Sequence, residues 1–387
     1  MKRNRFIFAG LWILSLIGIS IYGGPVTFGF FTLMTMIPLV SLLYLILVYF
    51  FFRIYQSLNS HVLVVNRPVP FYFKLCNEYF LNYAGVRVRF YTDFSTIAGL
   101  SDETEYELPP KTEVKKETML VCKYRGEYET GIKTVEIRDF LRLFCIRYKN
   151  RESLRVTVKP QTVVLDRLLN VDMNRVMRET KDSASVPDVL ARAYVQGDDI
   201  RQIHWNLSAK TGTLMTRERI GEEKQGIGIV LDTSRDEKEE TVFLPMENKQ
   251  LEVVLALSYF LCSRNMPVQE FHFAGEPVCN HVENVSGYDD YYEKISAIRF
   301  DSGYSQEKLM ETLQQNLKWL DFQAVFFVMS KWSDSAMHLI SRLLENRVYV
   351  VVYLIGGKVP EIADENTDSR LCFIPMGPED EVKGVVG

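Results

Sequence analysis

Between Phe6 and Phe52 the chain carries no charged residue. A spanning helix needs about 20 apolar residues, so this run is long enough to cross a bilayer twice. Gly23, Gly24 and Pro25, with Gly29 close behind, supply the break between two spans. The first is expected from Phe6 to Tyr22 and the second from Phe28 to Phe52, with Pro38 inside it. Lys2, Arg3 and Arg5 precede the first span and Arg53 follows the second. Positive charge at both outer ends predicts a multi-pass protein of the cell membrane, with both termini and the soluble domains cytoplasmic. A cleaved signal peptide shares the basic-then-apolar start, but no A-x-A-like site follows Tyr22 and a second apolar run comes at once.

After residue 57 the pattern shortens to alternating runs. VLVV (62–65), FYFKL (71–75), VRVRFY (86–91), VKKETMLVCKY (114–124), IKTVEI (132–137), LRLFCIRY (141–148) and LRVTV (154–158) read as strands. Their period of two and their β-branched and aromatic content suit half-buried antiparallel sheets. In VRVRF, Val86, Val88 and Phe90 share one face and Arg87 and Arg89 the other. Residues 58–160 are therefore expected to form an all-β, sandwich-like domain whose basic residues lie on its solvated face.

From Gly226 onward strands and helices alternate. GIGIVLDT is a continuous apolar run of the kind buried on both faces of a parallel sheet. Further strands are expected at Val268–Phe273, Ala324–Met329 and Val348–Leu354, and helices at Glu247–Asn265, Asp289–Ile298, Ser305–Leu320 and Ser333–Glu345. Leu309, Leu313 and Leu317 recur at the spacing of one helical face, and Ser305 and Ser333 stand where N-caps belong. Residues 226–387 thus read as a doubly wound α/β domain. The tail beyond Pro378 is expected to be loosely ordered.

Composition narrows the function. The 387 residues are too many for one ordinary core, and a net charge of −4 lacks the basic stripe of a nucleic-acid binder. The six cysteines fall in no metal-like spacing and suit a reducing compartment. No P-loop, G-x-G-x-x-G or H-E-x-x-H is present. His61, His272, His281 and His338 are isolated from one another, and the acidic run Asp236, Glu237, Glu239, Glu240 reads as a solvated loop.

Residues 161–225 link the two domains and carry the densest polar stretch, Arg192 to Glu218. Arg192, Tyr194, Gly197, Asp198, Arg201, Ile203, His204, Trp205, Ser208, Ala209, Lys210, Gly212 and Leu214 match, in register, R-x-Y-x-x-G-D-x-x-R-x-I-H/D-W-x-x-S-A-R/K-x-G-x-L. Upstream, Arg125, Gly126, Tyr128 and Gly131 fit R-G-x-Y-x-x-G, and Asp139, Leu143 and Phe144 fit D-P-F-G-L-F loosely, without its Pro and Gly. In these motifs and in its order of parts the chain resembles the bacterial "domain of unknown function fifty-eight" proteins. The resemblance implies a membrane anchor, a C-terminal von Willebrand factor A-like domain, and a place beside MoxR-type AAA+ ATPases in cell-envelope processes. It implies no reaction.

Von Willebrand A domains often hold Mg²⁺ through D-x-S-x-S after the first strand, with a Thr and an Asp from later loops. Here the first part reads Asp232, Thr233, Ser234, Arg235, Asp236, so a carboxylate replaces the last Ser. After the VFFVMS strand, Ser330 is followed by Lys331 where the Asp is expected, and Ser302 and Ser305 are the candidates for the third-loop oxygen. An ammonium there repels a cation and can neutralise Asp232 or Asp236. The expectation is a degenerate site held by a Lys–Asp pair and no cofactor, with Mg²⁺ the alternative. Asp198, His204 and Ser208 suggest a hydrolase triad, but no G-x-S-x-G elbow surrounds Ser208. Structural roles are expected instead: Asp198 and Arg201 fixing a turn, Trp205 burying its ring and His204 bonding backbone. The favoured reading is a non-enzymatic, membrane-anchored scaffold for protein–protein interaction. The alternative is an envelope enzyme, or a regulator of a transglutaminase-like or hydrolase partner.

Overall fold

The structure, a computed structural model, describes residues 2–100, 104–169, 171, 189–195, 203–219, 226–315, 322–357 and 368–387. They divide into two compact units, Met1–Lys159 and Pro160–Gly387.

The first unit opens with two apolar helices, α1 (Lys2–Tyr22) and α2 (Pro25–Phe51), both long and apolar enough to cross a membrane. Pro25 starts α2 at a position where its missing N–H costs nothing. The helices form a hairpin in which Trp12 Nε1 donates to Thr35 Oγ1 at 3.2 Å. At about 1.5 Å per residue, α2 is about 9 Å longer than α1. Its C-terminal end is covered by protein: Leu45 and Val48 are fully buried in the core of the β-sheets that follow.

Those sheets begin earlier than the pattern of residues marks. Strand β1 (Phe52–Leu58) continues directly from α2, because Phe52 turns into the core. In chain order follow β2 (Val62–Val64), β3 (Val69–Asn77), β4 (Tyr83–Phe90), β5 (Ser95–Ile97), β6 (Glu105–Leu108) and β7 (Glu113–Cys122). Then come β8 (Gly126–Thr130), β9 (Ile132–Arg138), β10 (Cys145–Lys149) and β11 (Leu154–Lys159). Two four-stranded antiparallel sheets, ordered β1-β3-β7-β5 and β10-β9-β4-β6, send Phe71, Phe73, Leu75, Val86, Val88 and Ile137 into one core. A third sheet, β2-β11-β8, contributes Val156 and Val158. The strand expected at 141–148 starts only at Cys145. Asp139 caps a turn there instead, accepting from Phe144 N at 2.7 Å, with Arg142 left-handed at φ 55°. The β8–β9 turn needs Gly131: φ is 85°, and a Cβ would lie 2.6 Å from Gln56 Oε1.

In the second unit β12 (Val189–Ala193) pairs antiparallel with β13 (Met215–Arg219), flanking helix α3 (Trp205–Thr211). The main sheet contains β14 (Ile227–Leu231), β15 (Val268–Phe273), β16 (Pro277–Val282), β17 (Ala324–Met329), β18 (Tyr349–Ile355) and β19 (Leu371–Met376). Its order is β16-β15-β14-β17-β18-β19, parallel except for the edge strand β16. One face (Ile227, Ile229, Phe326, Val328, Tyr353) packs with α4 (Glu240–Cys262) and α5 (Tyr288–Ser296). The other (Val230, Val325, Phe327, Val350, Val352) packs with α6 (Gln306–Gln315) and α7 (Asp334–Glu345). Burial on both faces explains why these strands read as unbroken apolar runs. Ser333 caps α7, its Oγ accepting from Ala336 N at 3.3 Å. Leu317 lies outside the described residues.

The tail differs from expectation. Strand β19 ends at Met376, and a short helix, α8 (Val382–Val385), brings Val382 and Val386 into the core beside Leu165 and Leu168. The apolar side chains outweigh the local Gly, Pro and acidic residues because each finds a fully buried place.

Candidate functional site

Strand β14 is central, with β15 on one side and β17 on the other. The chain runs from β14 to β15 on one side and later crosses to place β17 on the other, so the crevice beyond the carboxyl ends of β14 and β17 is where such a sheet receives ligands. Asp232 and Thr233 follow β14 into that crevice, and Ser330 and Lys331 follow β17.

Asp232 is 1 % exposed. Its Oδ1 accepts from Ser234 N at 3.0 Å and Ser234 Oγ at 2.7 Å, and its Oδ2 accepts from Gln306 Nε2 at 2.9 Å. Burial pushes this carboxyl above its usual range, against the Ser234 hydrogen bonds and the charge of Lys331. Gln306, the first residue of α6, also donates to Lys331 O at 3.0 Å, and its Oε1 is buried without a hydrogen-bond partner. Lys331 Nζ lies 2.5 Å from Asp236 Oδ2, both side chains being half-exposed. Arg235 Nε reaches Glu247 Oε1 at 2.6 Å, with its guanidinium 3.9 Å from the Phe243 ring centroid. The Asp232–Asp236 loop is tied down on two further sides: Thr233 Oγ1 donates to Phe273 O at 2.6 Å, and Arg235 N donates to Asp301 O at 3.1 Å.

These residues do not fit a resident Mg²⁺. That ion requires an octahedron of oxygen lone pairs. Here both Asp232 oxygens are met by N–H and O–H donors, and the second carboxylate is neutralised by an ammonium. Among the described residues no cluster of three or more His, Cys, Asp or Glu is arranged to hold a metal ion. The third-loop contact to Asp232 comes from Gln306, not from Ser302 or Ser305, and as a donor. An amide opening a helix carries no motif by which sequence could single it out.

In the family-signature stretch, Arg192 lies in β12 opposite Thr216, and Gly197, Asp198 and Arg201 fall outside the described residues. The rest forms a tight local clip. His204 is the N-cap of α3, its Nδ1 accepting from Leu207 N at 3.3 Å, and its own N–H reaches Met215 O at 2.8 Å. Buried Ser208 donates to His204 O at 3.0 Å and accepts from Met215 N at 2.8 Å. Gly212 ends the helix left-handed at φ 71°. Tyr194 N donates to Leu214 O at 2.8 Å, and Lys210 sits in the last turn, where a cation suits the helix dipole. The imidazole is turned to Leu207 and the Ser208 hydroxyl to backbone groups, which is not a nucleophile–base arrangement. Trp205 does not bury its ring: it is 63 % exposed at the first turn of α3, whose inward positions are taken by Ser208 and the neighbouring Ile203.

One polar group escaped the sequence reading. His272 Nδ1 lies 3.0 and 3.2 Å from the two carboxylate oxygens of buried Glu270, and Asn280 Nδ2 donates to Glu270 Oε2 at 2.8 Å. The spacing of two along β15 puts both on one face. The group lies where β15 pairs with the edge strand β16.

Residues 190–355 match the family model described as "Protein of unknown function DUF58", so the chain carries a domain of that family over those residues. No curated protein matches the chain. Among solved structures it is similar to the CARDB domain of a Pyrococcus furiosus protein, with 15% identity, 28% of this chain and 94% of that chain covered, and a TM-score of 0.18. It is also similar to proximal thread matrix protein 1 of the mussel byssus, with 18% identity, 38% and 43% covered, and a TM-score of 0.27. A GH20 exo-β-N-acetylglucosaminidase from Vibrio harveyi shows 6% identity over 79% of this chain and 57% of that one, with a TM-score of 0.17. Likenesses at this level carry no argument about function.

Proposed function

We propose that this chain, with its DUF58 domain, is a non-catalytic, membrane-anchored interaction protein. Helices α1 and α2 hold it in the cell membrane with both termini and the folded units on the cytoplasmic side. The strand-end surface around Lys331, Asp236 and Arg235 receives a protein partner, a MoxR-type AAA+ ATPase or its client. The observation that carries this reading is the closure of the Asp232 crevice by its own donors. Donors from Ser234 and Gln306 meet both oxygens of Asp232, beneath a half-exposed Lys331–Asp236 pair, which supports a structural role for this carboxylate over a catalytic or metal-binding one. The same arrangement leaves a charged rim of the kind that steers protein encounters.

Purification of the full chain from native membranes in mild detergent tests this. A AAA+ ATPase is expected to accompany the wild type and to be lost with Lys331→Ala, while the melting temperature changes little, since an exposed pair contributes about 0–1 kcal/mol. A preparation in which mass spectrometry finds no such ATPase would overturn the proposal.

A further inference from the structure

The turn between β9 and β10 stands at a defined height on the helical hairpin. Trp12 of α1 faces Thr35 of α2, and the hairpin turns at Gly23 and Gly24. Counting outward from that pair, Arg5 is level with Leu42 and Lys2 with Leu45. The same ends of the helices grip the turn directly. Asn4 Nδ2 donates to Leu141 O at 2.9 Å and Arg5 Nε to Leu143 O at 2.6 Å. Ser41 Oγ donates to Asp139 Oδ2 at 2.5 Å, and both residues are buried. The Phe140 ring meets Tyr44 edge-on, with centroids 5.6 Å apart. If the hairpin spans, Lys2, Arg3 and Arg5 mark the edge of the hydrocarbon, because charged side chains there stay among headgroups. The turn bonded to Asn4 and Arg5 must then lie at that same depth.

The surface of the turn is suited to that position. Phe140 is 52 % exposed and Leu141 36 %. Arg142 lies in the turn, and Arg87, Arg89, Arg138 and Arg147 stand on the β4–β9–β10 sheet that leads to it, paired among the described residues with Glu105 and Glu136. Arg142 and Arg147 remain more than half exposed. An apolar tip that carries the half-exposed Arg142, with Arg147 on the strand that follows, matches the headgroup–acyl boundary of an anionic leaflet. The buried Ser41–Asp139 bond explains how a carboxylate is tolerated at this depth: each of its oxygens has a donor, Ser41 Oγ or Phe144 N.

We infer that the Asp139–Phe144 turn is a second membrane contact, dipping Phe140 and Leu141 into the lipid boundary and seating the β-sheets against the bilayer. This rests on the reading of α1 and α2 as membrane spans.

The test is photocrosslinking of the full chain in vesicles of phosphatidylethanolamine and phosphatidylglycerol, with p-benzoylphenylalanine at Phe140, at Leu33 within the hairpin, or at Val62. Leu33 and Val62 are 58 % and 53 % exposed, comparable with Phe140. Phospholipid adducts, read by mass spectrometry, are expected at Leu33 and Phe140 several-fold above Val62. Adducts at Leu33 with Phe140 no higher than Val62 would overturn the second contact and leave the anchor intact. No adduct at Leu33 would remove the anchor, and the inference with it.

Discussion

Ser208 and Trp205 share one short helix, yet their side chains have opposite surroundings. Buried Ser208 joins His204 O to Met215 N through its hydroxyl, so Ser208→Ala leaves a half-buried N–H without its acceptor. That change is expected to lower stability by about 1–3 kcal/mol. Trp205 stands in solvent, and Trp205→Ala is expected to alter stability by no more than about 0.5 kcal/mol. Denaturant melts of the two variants check this, and an equal loss in both would contradict the clip. At the crevice, Gln306 and Lys331 place donors where a cation would need acceptors. Titrating Mg²⁺ into the full chain should therefore produce no saturable rise in melting temperature, whereas a real site would add about 2.7 kcal/mol at a hundredfold excess over its Kd.

Elements whose residues are individually unremarkable become important where they dock. Helix α8 is four residues long, yet Val382 and Val386 are 3 % and 0 % exposed in the core of the second unit. Truncation after Glu381 should expose the surface they cover and cost about 3–6 kcal/mol, at about 1.5–3 kcal/mol per buried side chain. A truncated chain that melts like the full one would show that α8 is not docked. On the β4–β9–β10 face, burial acts to raise the Glu136 carboxyl, but hydrogen bonds from Arg138 and Arg147 outweigh it and hold it at about 2, below the ordinary 4.5. A carboxylate depressed on folding adds stability that is complete above 4.5 and lost as the pH falls through about 2. Acid unfolding followed by circular dichroism should therefore show a shallower loss over that window in Glu136→Gln than in the wild type.

Across the whole molecule, the features that depend on local repetition were legible in the chain. Uncharged length marks α1 and α2, period-two alternation marks Val86, Val88 and Phe90 on β4, and unbroken apolar runs mark the doubly buried β14, β17 and β18. Each follows from how one segment meets its solvent, lipid or core, which its own residues report. The Asp232 loop and the Lys331–Asp236 pair were legible for a related reason: the turns that carry them follow strands the pattern already places. Short elements such as β5, β6, β16 and α8 were not, because they carry neither an unbroken apolar run nor a long alternation. Nor were the meetings of distant residues: Gln306 with Asp232, Ser41 with Asp139, Arg5 with the Leu143 carbonyl, Val386 with the core. The sequence by itself determined the two long apolar helices, the order of β and α/β parts, and the family signature. Tertiary structure decided that donors meet both oxygens of Asp232, that Trp205 faces outward, and that the β9–β10 turn stands level with the basic end of α1. The physical reason is that periodicity records burial along one element, whereas a hydrogen bond between residues dozens of positions apart exists only once the fold has brought its donor and acceptor together.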